Sequence, residues 1–330
     1  MPKTQSIAEA AKAAIPGYTD AKTYLDTLTR WKAEHPRFAE VVDPIEKFRD
    51  AARAGGELPA DVGQRINDVE RAILAHQRTA AEILNAHNEA RNEVANVIRD
   101  GADHALEHLH REILKRQDTI REAAKTLDGV TSADQAMRNA THREAWAQLA
   151  AAVDDVDQIR TTQWSLYKDR VGDGQGWFDT QLQYASVAFL TNALDYSRLL
   201  TDHRRASSRQ MRPDLFEEVA EHAEWLDNFP TPRYEQATRT TPWWPTDDHT
   251  GYLIWATRVT SLWVPTIDQI EAAHEAAKTA TAPLGGSRRG PASPILHASI
   301  GRAKEARETY YKITGGTPHT EERHSLEPVW

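Results

Sequence analysis

The chain has 330 residues, 40% of them hydrophobic and 27% charged, which is enough apolar mass for a packed core. Forty Lys and Arg against 49 Asp and Glu leave a net charge of −9, so the basic footprint that nucleic acid or an anionic membrane surface demands is missing. With no cysteine there is no disulfide, no thiol nucleophile and no Cys-ligated zinc. No apolar run approaches the ~18–20 residues of a membrane span, and Met1 to Ala14 lacks the apolar stretch of a secretory signal. The expected setting is cytoplasmic, or inside an assembled particle.

Residues 1–58 read as short helices. Pro16-Gly17 is a break, and Thr19 suits the N-cap of a helix carrying Tyr24, Leu25, Leu28 and Trp31. Pro36 and Pro44 restart the chain, and Gly55-Gly56 ends the next helix.

Residues 59–170 predict a long antiparallel helical hairpin. From Val62 to Leu127 there is no proline, and Val62, Ile66, Val69, Ile73, His76, Ala80, Ile83, His87, Ala90, Val94 and Val97 alternate steps of four and three. That is a heptad seam, with polar residues on the other faces. Near Ile98, Ala102 and Leu106 the step becomes four and four, a stutter centred on Gly101, before Leu109, Ile113, Ile120, Ala123 and Leu127 resume it. As one helix this stretch would be roughly 100 Å long, so an elongated shape is expected. Asp128-Gly129 is the turn, Ser132 with Gln135 forms a capping box, and a second helix runs to about Asp169. Its stripe is Leu149, Val153, Val156, Arg160, Gln163 and Tyr167, with Trp146 and Trp164 alongside.

Residues 171–282 predict a Trp-rich helical domain. Phe178 to Leu200 is apolar on more than one side, and Pro213 opens a helix to about Asn228. Asn228 to Gly251 is irregular; Tyr252 to Val264 fits helix or strand by period, with helical neighbours favouring helix. Pro265 starts a helix to about Ala282. Residues 283–330 comprise a Gly/Ser/Pro linker, a helix from Pro294 to Ile313 and a polar tail.

Chemistry is sparse. His104, Glu107 and His108 match the H-x-x-E-H zinc pattern, in which two imidazoles share a helix face and the carboxylate between them serves as base. In the seam register, however, they fall on the outer face. His76 and His87 occupy seam positions, as register markers or pH-sensitive polar residues. Gly172, Gly174 and Gly176 lack the strand and G-K-[ST] element of a phosphate loop. Asp154, Asp155 and Asp157 read as a solvated acidic face. Asp247, Asp248 and His249 are a candidate cation site, and Arg204, Arg205 and Arg209 a candidate grip on phosphate or an acidic partner. Trp243 and Trp244, held between Pro242 and Pro245, are candidate binding anchors, whereas Trp255 and Trp263 sit on a helical pattern and read as core.

Together these readings imply an all-α protein: a long antiparallel coiled-coil hairpin with a Trp-rich helical domain. The expected role is non-enzymatic, structural or in assembly, through a protein partner or self-association, with no cofactor, nucleic acid or membrane. A phage virion is one such particle. A metal-dependent hydrolase built on His104, Glu107 and His108 is the first alternative. A small-molecule or glycan-binding module built on Trp243 and Trp244 is the second.

Overall fold

The computed structural model describes residues 6–35, 49–50, 52–56, 60–128, 130, 132–171, 190–192, 194, 249–281 and 294–317. The described residues form an all-α fold, with nine helices and no strand among them. They are α1 (Ile7–Ala13), α2 (Tyr18–Glu34), α3 (Val62–Asp100), α4 (Ala102–Thr126), α5 (Ala133–Ala136), α6 (Ala140–Val171), α7 (His249–Val259), α8 (Ile267–Ala280) and α9 (Pro294–Thr314). The chain divides into two compact units, Ile15–Gly101 and Met1–Ala14 with Ala102–Trp330. The division falls inside the 59–170 stretch, at the glycine where the seam stutters.

In the unit Ile15–Gly101, α2 packs on α3. α2 begins at Tyr18 rather than after Thr19, because Gly17 supplies a left-handed N-cap at φ 81 that only glycine adopts without strain. The Thr19 carbonyl is instead inside the helix, accepting from the Thr23 hydroxyl at 2.8 Å. The two helices run antiparallel: His35, which closes α2, stacks on His76 of α3, and Ile15, just before α2, lies against Gly101. α2 buries Tyr18, Ala21 and Leu28. Along all of α3, by contrast, only Ala90 is buried; the rest of the seam is half-buried.

The larger unit is built on a hairpin of α4 and α6, which pack together as the periodicity predicts. Leu106, Leu109, Ile113 and Ile120 of α4 and Leu149, Val156, Ile159 and Leu166 of α6 are fully enclosed. Each such side chain contributes about 1.5–3 kcal/mol relative to exposure. Arg116 Nε pairs with Asp155 at 2.7 Å, one carboxylate of the acidic face thereby tying the two helices together. The Ser132 cap forms, its hydroxyl accepting from Gln135 N, but it serves the four-residue α5. The long helix starts later because Asn139 Oδ1 takes the free N–H groups of Thr141 (2.8 Å) and His142 (3.3 Å). α1 is capped by Ser6 and packs on both α4 and α6. α8 and α9 form a second pair in which Ala273, Ala276, Ala277 and Ala280 of α8 and Ala303 of α9 are buried.

The segment expected as a helix from Tyr252 to Val264 is helical only to Val259. Thr260 to Pro265 is extended, and Thr266 then caps α8 with Gln269 in a reciprocal capping box. The predicted buried helix of 178–200 falls largely outside the described residues; Leu190 and Leu194 within it are buried. The predicted helix from Pro213 lies outside them altogether.

A β-carbon on Gly101 would run into Ile15 Cγ2 and stand 3.1 Å from the Val97 carbonyl oxygen, whereas one on Gly63 meets nothing within 4 Å. Ile15 is buried and cannot swing away freely. Gly101→Ala is therefore expected to destabilise by about 1–3 kcal/mol. Gly63→Ala should be neutral or stabilise by up to ~1 kcal/mol. Urea melts of the two variants beside the parent check this.

Candidate functional site

Thr260 to Thr266 is a strap lying against the α4–α6 hairpin, and its backbone is held by side chains rather than by another strand on that edge. The Leu262 and Val264 N–H groups donate to α4, to Gln117 Oε1 at 2.6 Å and His110 Nδ1 at 3.3 Å. The Trp263 and Pro265 carbonyls accept from α6, from Arg160 Nη1 and the Tyr167 hydroxyl, each at 2.7 Å. Donors thus go to one helix and acceptors to the other. His110 and Gln117 are one heptad apart on α4, as Arg160 and Tyr167 are on α6, so each pair shares a helix face. Gln163 joins the α6 groups, accepting from Arg160 at 2.8 Å and donating to the Tyr167 hydroxyl at 2.8 Å. Arg121 donates to the Thr257 and Thr260 carbonyls, where α7 ends.

On its other edge the strap meets Leu190 in an antiparallel bridge through Leu262, and Thr191 N donates to the Ser261 carbonyl at 3.0 Å. Leu262, Trp263 and Val264 are buried, so Trp263 is core, as its pattern suggested; Trp255 on α7 is half-buried.

The clamp is electrostatically tense. Burial pulls the Arg160 guanidinium down to about 10, opposed by Tyr252, Tyr167 and Asp157; the group stays charged at neutral pH. Burial pushes Tyr167 far above the phenol range and Tyr252 up to about 12, so both stay neutral. Burial, then the charges of Arg160 and Arg111, lower His110, which keeps its Nδ1 unprotonated and able to accept from Val264. These groups position backbone. They present no nucleophile to solvent, and the arrangement does the work of a missing β-strand.

The residues singled out from sequence are not drawn together by this core. His104 and Glu107 are exposed on α4, and His108 is half-buried. Among the described residues no group of three or more His, Asp or Glu is placed to hold a metal ion. The carboxylate one turn beyond His108, Glu112, is occupied by Lys115 at 2.6 Å and Arg116 at 3.2 Å. Trp243, Trp244, Asp247, Asp248, Arg204, Arg205 and Arg209 lie outside the described residues. His249 begins α7. Sequence reading missed the clamp, although its signal was present: Arg160 and Gln163 interrupt an apolar stripe, and polar residues on a buried face need partners.

A second feature lies on the α2–α3 pair. Tyr24 and Trp31 are 48% and 51% exposed. They stand seven residues apart, beside the buried row of Tyr18, Ala21 and Leu28. Leu74 and Leu84 of α3 are exposed as well. Both rings lie on a hairpin whose long helix buries a single residue.

No family model, curated protein or solved structure matches the chain.

Tyr167→Phe removes the donor to Pro265 and the acceptor for Gln163 from a sealed site, and is expected to destabilise by about 1–3 kcal/mol in a chemical melt. Burial lowers His274 as it lowers His110. For both groups the unfolded chain takes up a proton at a higher pH than the folded one. Their stabilisation is full above the ordinary imidazole value of 6.5 and is lost as pH falls below it. His110→Asn, whose Oδ1 can accept from Val264 without titrating, should give a shallower fall of Tm below about pH 6.5 than the parent.

Proposed function

We propose that the chain is a non-enzymatic structural or assembly protein that acts through protein–protein contacts, with the α2–α3 hairpin as a contact element. One observation carries the reading: α3 runs for 39 residues with an apolar seam, yet only Ala90 is buried. A helix of that length gains most of its stability from covering its apolar face. Tyr24 and Trp31, exposed on the flank of the same hairpin, are the residue types that dominate binding energy at interfaces. The polar clamp of the larger unit commits Arg160, Tyr167 and His110 to holding the strap, and this too favours a structural role over catalysis. The contact reading implies incorporation into a larger particle, of which a virion is one kind. No helix among the described residues is long and apolar enough to cross a membrane.

The test is co-purification from the native host alongside light scattering, comparing the parent with Trp31→Ser and Leu84→Ser. As surface changes these should alter stability by about 0.5 kcal/mol or less. Loss of an anchor should weaken assembly by about 2 kcal/mol, some thirtyfold. A parent that stays monomeric and free of partners, with variants indistinguishable from it, overturns the reading. Trp243→Ala in the same assay asks whether the Pro-flanked tryptophans share the contact.

A further inference from the structure

Leu74 and Leu84 belong to a second row on α3, which runs from Gly63 to Ala95 in alternating steps of four and three. Each member is the residue next after a member of the seam, so the row lies about 100° round the helix from it. Every member is exposed. Its polar members, Asn67, Glu70, Gln77, Asn88 and Arg91, make no hydrogen bond or ion pair with another side chain among the described residues. Resting on the contact reading above, we propose that the partner at this surface is a second copy of the chain. The two α3 helices pair along the row, antiparallel across a twofold axis, with Leu74 of each copy against Leu84 of the other.

The row is complementary to itself read backwards. Once Leu74 of one copy meets Leu84 of the other, the heptad period fixes the remaining layers of an antiparallel pair. Glu70 faces Asn88, whose amide donates to the carboxylate. Arg91 faces Asn67, whose side-chain oxygen accepts from the guanidinium. Gln77 faces Ala81 beside the axis, and Gly63 faces Ala95 at the ends, where small residues let the helices close. The twofold axis makes each layer twice, so four leucines meet in two apolar layers and no charge within the row faces its like. On the border of the row Arg71 stands by Asn85, and Arg78 meets its own copy at the axis with Glu82 one turn on. Other arrangements fit worse. Parallel pairing sets Glu70 against Glu70 and Arg91 against Arg91. Sliding the antiparallel pair by one heptad sets Leu74 against Gln77 and Leu84 against Asn67 in one direction, and Leu74 against Arg91 in the other. Like charges set opposite each other, and polar groups covered by leucine without a partner, both cost stability. A second copy is the occupant that the row itself specifies.

The full chain has no cysteine, so introduced thiols are the only ones present. Leu74→Cys and Leu84→Cys, purified separately, mixed and mildly oxidised, should form a covalent dimer about tenfold faster than either alone, because only the mixed pair brings two Cα atoms within disulfide reach. In either variant alone the like positions stand about 15 Å apart along the axis. Equal rates, or faster coupling of a single variant, overturn the proposal. Asn88→Glu sets a carboxylate against Glu70 of the other copy, and should weaken dimerisation about tenfold by light scattering with helicity unchanged. Adding Glu70→Arg should restore it. A dimer indifferent to Asn88→Glu, or not rescued by the second change, overturns the proposal equally. If Leu84→Ser abolishes capture of a different protein while no mixed cross-link forms, the self-pairing falls and the contact reading stands. A parent that is monomeric and free of partners overturns both.

Discussion

An extended segment inside a helical body has to find partners for peptide groups that a helix would satisfy internally, and the larger unit is arranged around that requirement. Each buried N–H or carbonyl left unpaired costs about 1–3 kcal/mol. From Leu262 to Pro265 the strap presents two of each, and Gln117, His110, Arg160 and Tyr167 take them in turn. The α4–α6 hairpin therefore cannot be apolar throughout its inner face. It carries a polar stripe beside the fully enclosed Leu106, Ile113, Ile159 and Leu166. The chemistry of that stripe is dictated by the strap: an unprotonated imidazole nitrogen where a donor arrives, a guanidinium and a phenol where carbonyls arrive. The lowered His110 and the raised Tyr167 are consequences of the same enclosure.

The two units differ in how completely they bury their helices. α4 and α6 enclose their apolar faces, reinforced by the Arg116–Asp155 ion pair. α3 leaves its seam half-covered by α2, with polar histidines at places where leucine would pack better. Local opening follows burial, so the thinly covered hairpin belongs to the low-stability end of the molecule. That is the end from which binding and switching elements are drawn. The exposed Tyr24 and Trp31, and the sealed unpaired nitrogens of His35 and His87, are two expressions of one incomplete interface.

The zinc-like pattern at His104, Glu107 and His108 illustrates why spacing alone says little about chemistry. Positions three or four apart share a helix face wherever the helix lies, and here His104 and Glu107 share it with solvent. The polar residues of α4 with a buried task, His110 and Gln117, match no motif. Their role is set by a backbone more than 140 positions away in sequence, as Leu262 is from Gln117.

Periodicity and end signals in the sequence sufficed for the all-α class, the pairing of α4 with α6 and the extent of α9, because these depend on local propensity and on which face is apolar; the single helix read from Val62 to Leu127 is instead two, α3 and α4, divided at Gly101. Periodicity names an apolar face without naming what covers it, so the packing of α2 on α3 was not legible. Nor was the fate of Thr260 to Pro265, whose pattern fits helix and strand alike. Tertiary structure decided it: Gln117, His110, Arg160 and Tyr167 offer its buried peptide groups the hydrogen bonds that a helix would otherwise have to supply.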